Sequence, residues 1–402
     1  MFGRLLADSG GADQIVDTIV DRSSARALPW AMALVGALIG LPMFFEIGLV
    51  LLMSVIVLVS RRAQLPLMRV GIPAPAGLSV MHGLVPPHPG PLVAVAALNA
   101  NLGITIALGV LVAIPTAALA GPFFARYAAR WVPVRAPALL AASAAAMSVT
   151  SARLPTAGWS QSSGGTDTRT DTASTTGETD AERRRPKFAT TLFTVLLPVV
   201  LMMGKALADI FAGQGSAALA VLGTPLVALL LAVLVAMMTF GRGTGMSRAQ
   251  LASSLEKSLP PIAGILLIVA AGGGFKQTLV DTGIGKVLAN AIGGSSISPL
   301  LLAWLVAVLI RLATGSATVA TVTASGILAP LAATMSTGNT SLLVLAIGSG
   351  SLFFSHVTDA GFWLVKEYFG LSVGETIRSW SAMETLILVS GLVLVLMLSI
   401  VI

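Results

Sequence analysis

The sequence predicts an all-α polytopic membrane protein, an inverted-topology repeat in which each copy carries one re-entrant helical hairpin and one broken transmembrane helix. Three observations lead there. Hydrophobic residues make up 55% of the chain and charged ones only 10%, where a soluble domain carries about 25% charged residues. Apolar stretches recur at the roughly 20 residues a helix needs to cross ~30 Å of hydrocarbon. Four of these stretches are interrupted by proline, glycine or polar clusters, two in each half of the chain.

The elements follow in order. "MFGRLLADSGGADQIVDTIVDR" is amphipathic, with acids at 8, 13, 17 and 21, and is no cleavable signal peptide. Residues 28–60 are apolar with a turn at "GLPMFFEIG" (40–48), which makes them a hairpin. Residues 65–99 form a crossing broken by "MHGLVPPHPGP" (81–91), and 103–124 an unbroken one, within a first, incomplete repeat over 1–150. Residues 151–187 are rich in Ser, Thr, Gly and Asp and cannot bury enough apolar surface to fold, so they read as a disordered cytoplasmic linker. The second repeat, 188–402, has crossings at 188–204, 216–240, 259–275 and 383–402. Its hairpin, 298–333, turns at "RLATGSATVATVTASG" (311–326), and its broken helix, 341–380, is interrupted at "SHVTDAGF" (355–362).

The two copies share short matches in register. "FGRLLADSG" (Phe2 to Gly10) answers "FKQTLVDTG" (Phe275 to Gly283), and "NLGITI" (Asn101 to Ile106) answers "SVGETI" (Ser372 to Ile377) at nearly the same offset. Three crossings precede the first motif in the second half and none in the first. The repeat therefore predicts about three further helices, roughly 80–90 residues, upstream of Met1. Cytoplasmic loops are enriched in Lys and Arg. Placing Arg22, Arg26, Arg61, Arg62, Arg69, Arg126, Arg130, Arg135 and the basic end of the linker inside leaves Lys276 and Lys286 outside. The hairpins then open to opposite sides of the membrane, as an inverted repeat requires.

Irregular backbone survives in hydrocarbon only beside protein or a polar cavity, so four breaks predict one shared central cavity. Helix ends at such breaks offer free N–H groups and the positive dipole end to a carboxylate, and free carbonyls to a cation or proton carrier. Glu46 is the sole acid of the first hairpin. A carboxylate at mid-bilayer costs about 2.5–3.5 kcal/mol on insertion scales, which makes it functional by default. Arg311, just before the second hairpin turn, either meets an anionic cargo or braces backbone carbonyls. The Thr314, Gly315, Ser316 and Thr318 cluster supplies hydroxyl and amide donors for a polyhydroxy acid, against the alternative of back-bonding within a helix.

His82, His88 and His356 are all the histidines of the chain, and each lies at a break. Imidazole, with a reference pKa near 6.5, suits proton coupling; a satisfied core histidine is the plainer reading. Pro87 and Pro89 flank His88, and Ser355 and Thr358 flank His356, completing the candidate substrate contacts. Asp359, three residues after His356, joins it in a proton relay or caps a helix. Glu46, His88, His356 and Asp359 are the candidate proton-coupling groups. There is no cysteine, which excludes disulfides and thiolate metal sites. The net charge of +7 follows the membrane and gives no nucleic-acid patch. No metal site and no cofactor are expected. The partners are a small carboxylate, protons and the lipid bilayer.

Four stretches resemble the gluconate permease (gluconate:proton symporter) family of bacteria: "HGLVPPHPGP" (82–91), "GITIALGVLVAIPTAALAGPFFARY" (103–127), "GSATVATVTASGILAP" (315–330) and "GSLFFSHVTDAGFWLVKEYFGLSVGETIRSWSAMET" (350–385). The similarity spans the chain apart from the linker. It implies a multi-pass inner-membrane secondary transporter of sugar acids, driven by proton symport, with a fold like the larger ion-transporter superfamily and a homodimer as a common assembly. The chain departs from the family's pattern in lacking its first helices and in having a longer linker. Two other readings stand beside gluconate: a permease of the same family for D-serine or another small hydroxylated acid, and, more distant, an intramembrane hydrolase using the histidines as metal ligands.

Overall fold

Helices start and stop where the sequence changes chemistry. The computed structural model describes residues 1–43, 45–134, 185–211, 217–260 and 298–402, with a few single positions between 267 and 282. Most of the linker, most of the 259–275 crossing, and Phe275, Leu279 and Gly283 of the repeat motif lie outside the described residues. The chain opens with α1 (Phe2–Asp8) and α2 (Gly11–Asp21), then the first hairpin, α3 (Leu28–Gly40) and α4 (Phe45–Arg62). The first broken crossing is α5 (Leu67–Gly71), α6 (Pro73–Leu84) and α7 (Pro89–Ala97). Next, α8 (Leu102–Ala118) passes through a π-helical turn (Leu119–Phe123) into α9 (Phe124–Trp131).

Beyond the linker come α10 (Phe188–Phe211), α11 (Ala217–Leu222), α12 (Pro225–Ala236) and α13 (Arg248–Glu256). The second hairpin is α14 (Pro299–Thr314) and α15 (Ala317–Ala332), and the second broken crossing α16 (Thr337–Gly350) and α17 (Ala360–Phe369). The chain closes with α18 (Val373–Thr376), a π-helical turn (Ile377–Ser381) and α19 (Ala382–Leu398). No strand occurs among the described residues.

Local chemistry sets these limits. Pro73, Pro89, Pro225 and Pro299 each open a helix, where the missing N–H is one that no intrahelical carbonyl needs. Asn101, Ser247, Ser316, Ser336, Asp359 and Ser372 each accept an N–H in the first turn of the helix they precede. Two boundaries differ from the sequence reading. The 216–240 crossing is split at Thr224, held extended at ψ 139°, because the residue before a proline is pushed out of the α region. The second broken helix begins at Thr337 rather than 341, since Ser336 caps it, and its interruption opens at Ser351, ahead of the 355–362 expected.

Among the described residues four helical stretches are long and apolar enough to cross a bilayer: Leu102–Trp131, Phe188–Lys205, Pro225–Thr244 and Val373–Leu398. Large apolar side chains such as Ile114 and Leu226 point outward from them, 67% and 80% exposed, as a lipid-facing surface requires. Inside, helices meet through small residues, the usual packing device where lipid removes the hydrophobic drive. A Cβ on Gly36 would stand 1.9 Å from the Ala74 carbonyl oxygen, and one on Gly77 2.1 Å from that of Ala33, so α3 and α6 lie backbone to backbone.

The packing between halves is reciprocal. In each half the first hairpin helix runs along the first arm of the broken crossing, α3 on α6 and α14 on α16. The second hairpin helix crosses over: α4 packs on α17 of the other half, and α15 on α7. One apolar core joins both halves, including Ile39, Leu78, Leu345, Phe362 and Trp380. The hairpin tips and the breaks are thereby brought toward the middle of the bundle.

Candidate functional site

The second hairpin tip is the most tightly specified part of the site. α14 ends because Gly315 adopts a left-handed conformation (φ 70°), its N–H donating to the Arg311 carbonyl at 2.8 Å. A side chain there would also collide with Thr358, whose carbonyl oxygen and Oγ1 lie 2.5 Å from where a Cβ would sit. Arg311 is only 4% exposed. Its Nη1 donates to the Gly315 carbonyl, and its Nη2 pairs with Asp359 Oδ2 at 2.5 Å. Ser316 then starts α15 by accepting from Val319 N.

Asp359 is the hub of the second break. Its Oδ1 accepts from Gly361 N at 2.9 Å, capping α17, while Oδ2 accepts from Arg311 and from Ser355 Oγ. Ser355 Oγ accepts in turn from Trp380 Nε1 at 2.7 Å, and the Ser355 carbonyl from Ser381 Oγ. The π-helical turn before α19 therefore anchors the break through Trp380 and Ser381. A buried polar network of this kind is rigid when each member is satisfied.

Two further elements close the site. Phe45, at the start of α4, packs its ring on Trp380 (centroids 5.1 Å apart) and sets Glu46 beside the cavity. α6 contributes Ser79 and His82. Ser79 Oγ donates at 2.6 Å to Oε1 of Glu384, a residue of α19 only 2% exposed. The cavity so formed measures about 240 Å³ and is lined by Phe45, Glu46, Ser79, His82, Arg311, Thr314 to Thr318, Leu352, Thr358 to Ala360, Trp380 and Glu384. It has room for roughly eight waters at ~30 Å³ each, the scale of one small polyol acid. Hydroxyls of Thr314, Ser316, Thr318 and Thr358 face it together with the N-terminal turns of α4, α15 and α17.

Of the residues singled out in the sequence, Glu46, His82, Arg311, Thr314, Gly315, Ser316, Thr318, Thr358 and Asp359 meet here. Pro87, His88 and Pro89 line a separate, largely apolar cavity of about 270 Å³ with Leu41, Pro42 and Met43 of the first hairpin tip. The two cavities adjoin at the histidines, whose rings lie 4.0 Å apart between centroids. Ser355 stands behind the cavity wall as a brace. His356 turns its Nδ1 to Thr358 Oγ1 at 2.9 Å, while the side-chain partners of Asp359 are Arg311 and Ser355. Among the described residues, no group of three or more His, Cys, Asp or Glu could hold a metal ion.

Sequence reasoning missed Ser79, Trp380 and Glu384. Glu384 carried a weaker signal than Glu46: it is an acid at the head of an apolar run, not one enclosed within it. Ser79 and Trp380 carried none, because their roles depend on which helix lies opposite.

The GntP family permease model matches residues 1–164 and 164–401. The chain belongs to the GntP permease family. It is therefore a multi-pass bacterial membrane permease rather than an enzyme. The gluconate permease of Pseudomonas aeruginosa is 46% identical over the whole chain and 83% of its own length. A high-affinity gluconate transporter of Escherichia coli is 42% identical over 100% of this chain and 84% of its own. The Gnt-II system L-idonate transporter of the same organism is 36% identical, covering 98% and 83%. The YdaH transporter of Alcanivorax borkumensis has the same fold at 18% identity, with a TM-score of 0.62 over 98% of this chain and 82% of its own.

Proposed function

We propose that this GntP permease imports gluconate or a closely related sugar acid together with protons, by alternating access. The observation that carries the reading is the charge inventory of the polar cavity. Among the described residues Arg311 is its one arginine or lysine, facing the three carboxyl groups of Glu46, Asp359 and Glu384. Asp359 already offsets Arg311. An anionic cargo beside two further ionised carboxylates meets net repulsion, and proton uptake by the cavity removes it. Sugar-acid cargo agrees with the hydroxyl-rich lining and with the relatives named as gluconate and L-idonate transporters.

Arg311 and the N-terminal turns of α15 and α17 are assigned to the cargo carboxylate, and Thr314, Ser316, Thr318 and Thr358 to its hydroxyls. Glu46, open to the cavity and without an ion-pair partner among the described residues, is assigned proton exchange. His88 and His356 lie off the polar cavity, so their part in coupling reduces to proton passage around it. The reciprocal packing of the two halves supports an inverted repeat, the arrangement through which one unit rocks against another about a central site.

Uptake of labelled gluconate into proteoliposomes tests this: it is expected to rise with an inward proton gradient and to be competed by L-idonate. Protein that is folded, binds gluconate and ignores the gradient overturns the coupling. Competition by D-serine and not by L-idonate moves the cargo to small hydroxylated amino acids.

A further inference from the structure

Glu384 is counted above among the cavity's carboxyl groups, and no other carboxyl in the cavity is so fully enclosed. It is 2% exposed, and its hydrogen-bond partner is a neutral hydroxyl, Ser79 Oγ, at 2.6 Å. The two residues belong to opposite halves of the molecule, Ser79 to α6 and Glu384 to α19, so the bond spans the interface between the repeats. Glu384 also follows the π-helical turn at Ile377–Ser381 directly, and that turn is tied to the second break through Trp380 and Ser381.

The charged groups around Glu384 can be taken element by element. Against α19 lie α16, α8 and its π-helical turn, none with a titratable side chain, together with α6, which brings His82, α14, which brings Arg311, and the preceding π-helical turn Ile377–Ser381, whose Arg378 is exposed. Across the cavity stand Glu46 and Asp359. Arg311 is committed to Asp359 and to the Gly315 carbonyl. Glu384 thus lies in a cation-poor pocket, where an ionised carboxylate without a paired charge is expensive. A serine hydroxyl is the partner that serves both forms: it donates to a carboxylate and accepts from a carboxylic acid.

We propose that Glu384 holds the transported proton, with Glu46 at the open side only exchanging protons between solvent and the cavity, and that Ser79 senses the charge of Glu384 across the repeat interface. The step is balanced: the carboxylate of Glu384 takes one proton from the side facing the open cavity. The cavity then admits one cargo anion, and both leave on the other side. Reorientation moves α6 relative to α19, so the Ser79–Glu384 bond is the contact through which protonation is felt by the moving parts.

This rests on the proton-coupled sugar-acid reading, and the experiment separates the two. Wild-type and E384Q protein are reconstituted, and labelled gluconate is followed under a pH gradient and, separately, in exchange without one. A one-unit pH gradient sustains about tenfold accumulation through one coupled proton. Wild type is expected to reach it; E384Q is expected to show none, while its residual exchange loses dependence on pH. E384D is expected to restore accumulation in part. Wild type that ignores the gradient defeats the underlying reading. Wild type that responds while E384Q still accumulates, or while E46Q alone abolishes accumulation, overturns the assignment to Glu384. Folded E384Q that no longer binds gluconate overturns it too, placing the residue in cargo binding. Should E384Q fail to fold, S79A decides the matter: a shifted pH midpoint of uptake supports the proposal and an unchanged one overturns it.

Discussion

The two hairpins reach the centre of the molecule by different means. The first is held by close backbone approach: Gly36 and Gly77 let α3 lie on α6, and Gly40 and Gly48 leave room for Leu78. Its tip carries Glu46 but no cation. The second is held by charge and hydrogen bonds: Arg311 grips its own turn at Gly315 and reaches Asp359 in the second break. Van der Waals packing fixes where a helix lies, and tolerates neither a lost nor an added methyl group. A buried ion pair with further hydrogen bonds fixes a geometry that also offers charge to a solute. The difference suggests a division of labour, with the first hairpin serving mainly as scaffold and the second as binding element.

Substitutions that separate packing from charge test that division. The largest effect is expected at the first hairpin, where Gly36→Val places carbon against the Ala74 carbonyl at 1.9 Å. Neither backbone can retreat, so little monodisperse protein should be recovered on size-exclusion chromatography; normal recovery would show that α3 is not locked on α6. Next comes Arg311→Ala. Removing one partner of a buried pair costs about 3–5 kcal/mol, so thermal stability should fall and gluconate uptake should vanish. The double variant R311A/D359A should regain much of the stability and none of the uptake, because the stranded carboxylate is gone while the cargo's cation is still missing.

Smaller effects belong to the turn itself. Gly315→Ala forces a left-handed conformation on a residue with a Cβ, worth about 1–2 kcal/mol, and adds the collision with Thr358. Its expected signature is weaker gluconate binding by isothermal titration together with a lower melting temperature. Ser316→Ala removes the cap of α15 and should cost about 1 kcal/mol, with uptake reduced but measurable. If S316A proves more damaging to uptake than R311A, the hydroxyl and not the guanidinium is the main cargo contact.

Much of this architecture was legible in the chain. Proline, glycine and capping residues mark helix ends through local stereochemistry, so the turns at 41–43 and 315–316 and the break at 85–88 fall where the residues require. Arg311 and Glu46 stood out because charge is rare in apolar surroundings. Glu384 was passed over because "RSWSAMET" reads as the polar edge of a span; the π-helical turn carries that stretch inward. The pairing of Asp359 was also misjudged. Proximity in sequence pointed to His356, three residues away, whereas the hairpin delivers Arg311 to Asp359 from far along the chain.

Composition and local backbone preference placed the chain in lipid and located most of the helix ends discussed here, the split at Thr224 and the limits of α16 excepted, since both act over a few residues. Which of those ends share a cavity, that Pro87 to Pro89 line another, and that Ser79 finds Glu384 were settled by long-range packing. Buried polar atoms bind whatever partner the bundle places within about 3 Å, and that distance is set by helix crossings between halves, not by separation along the chain.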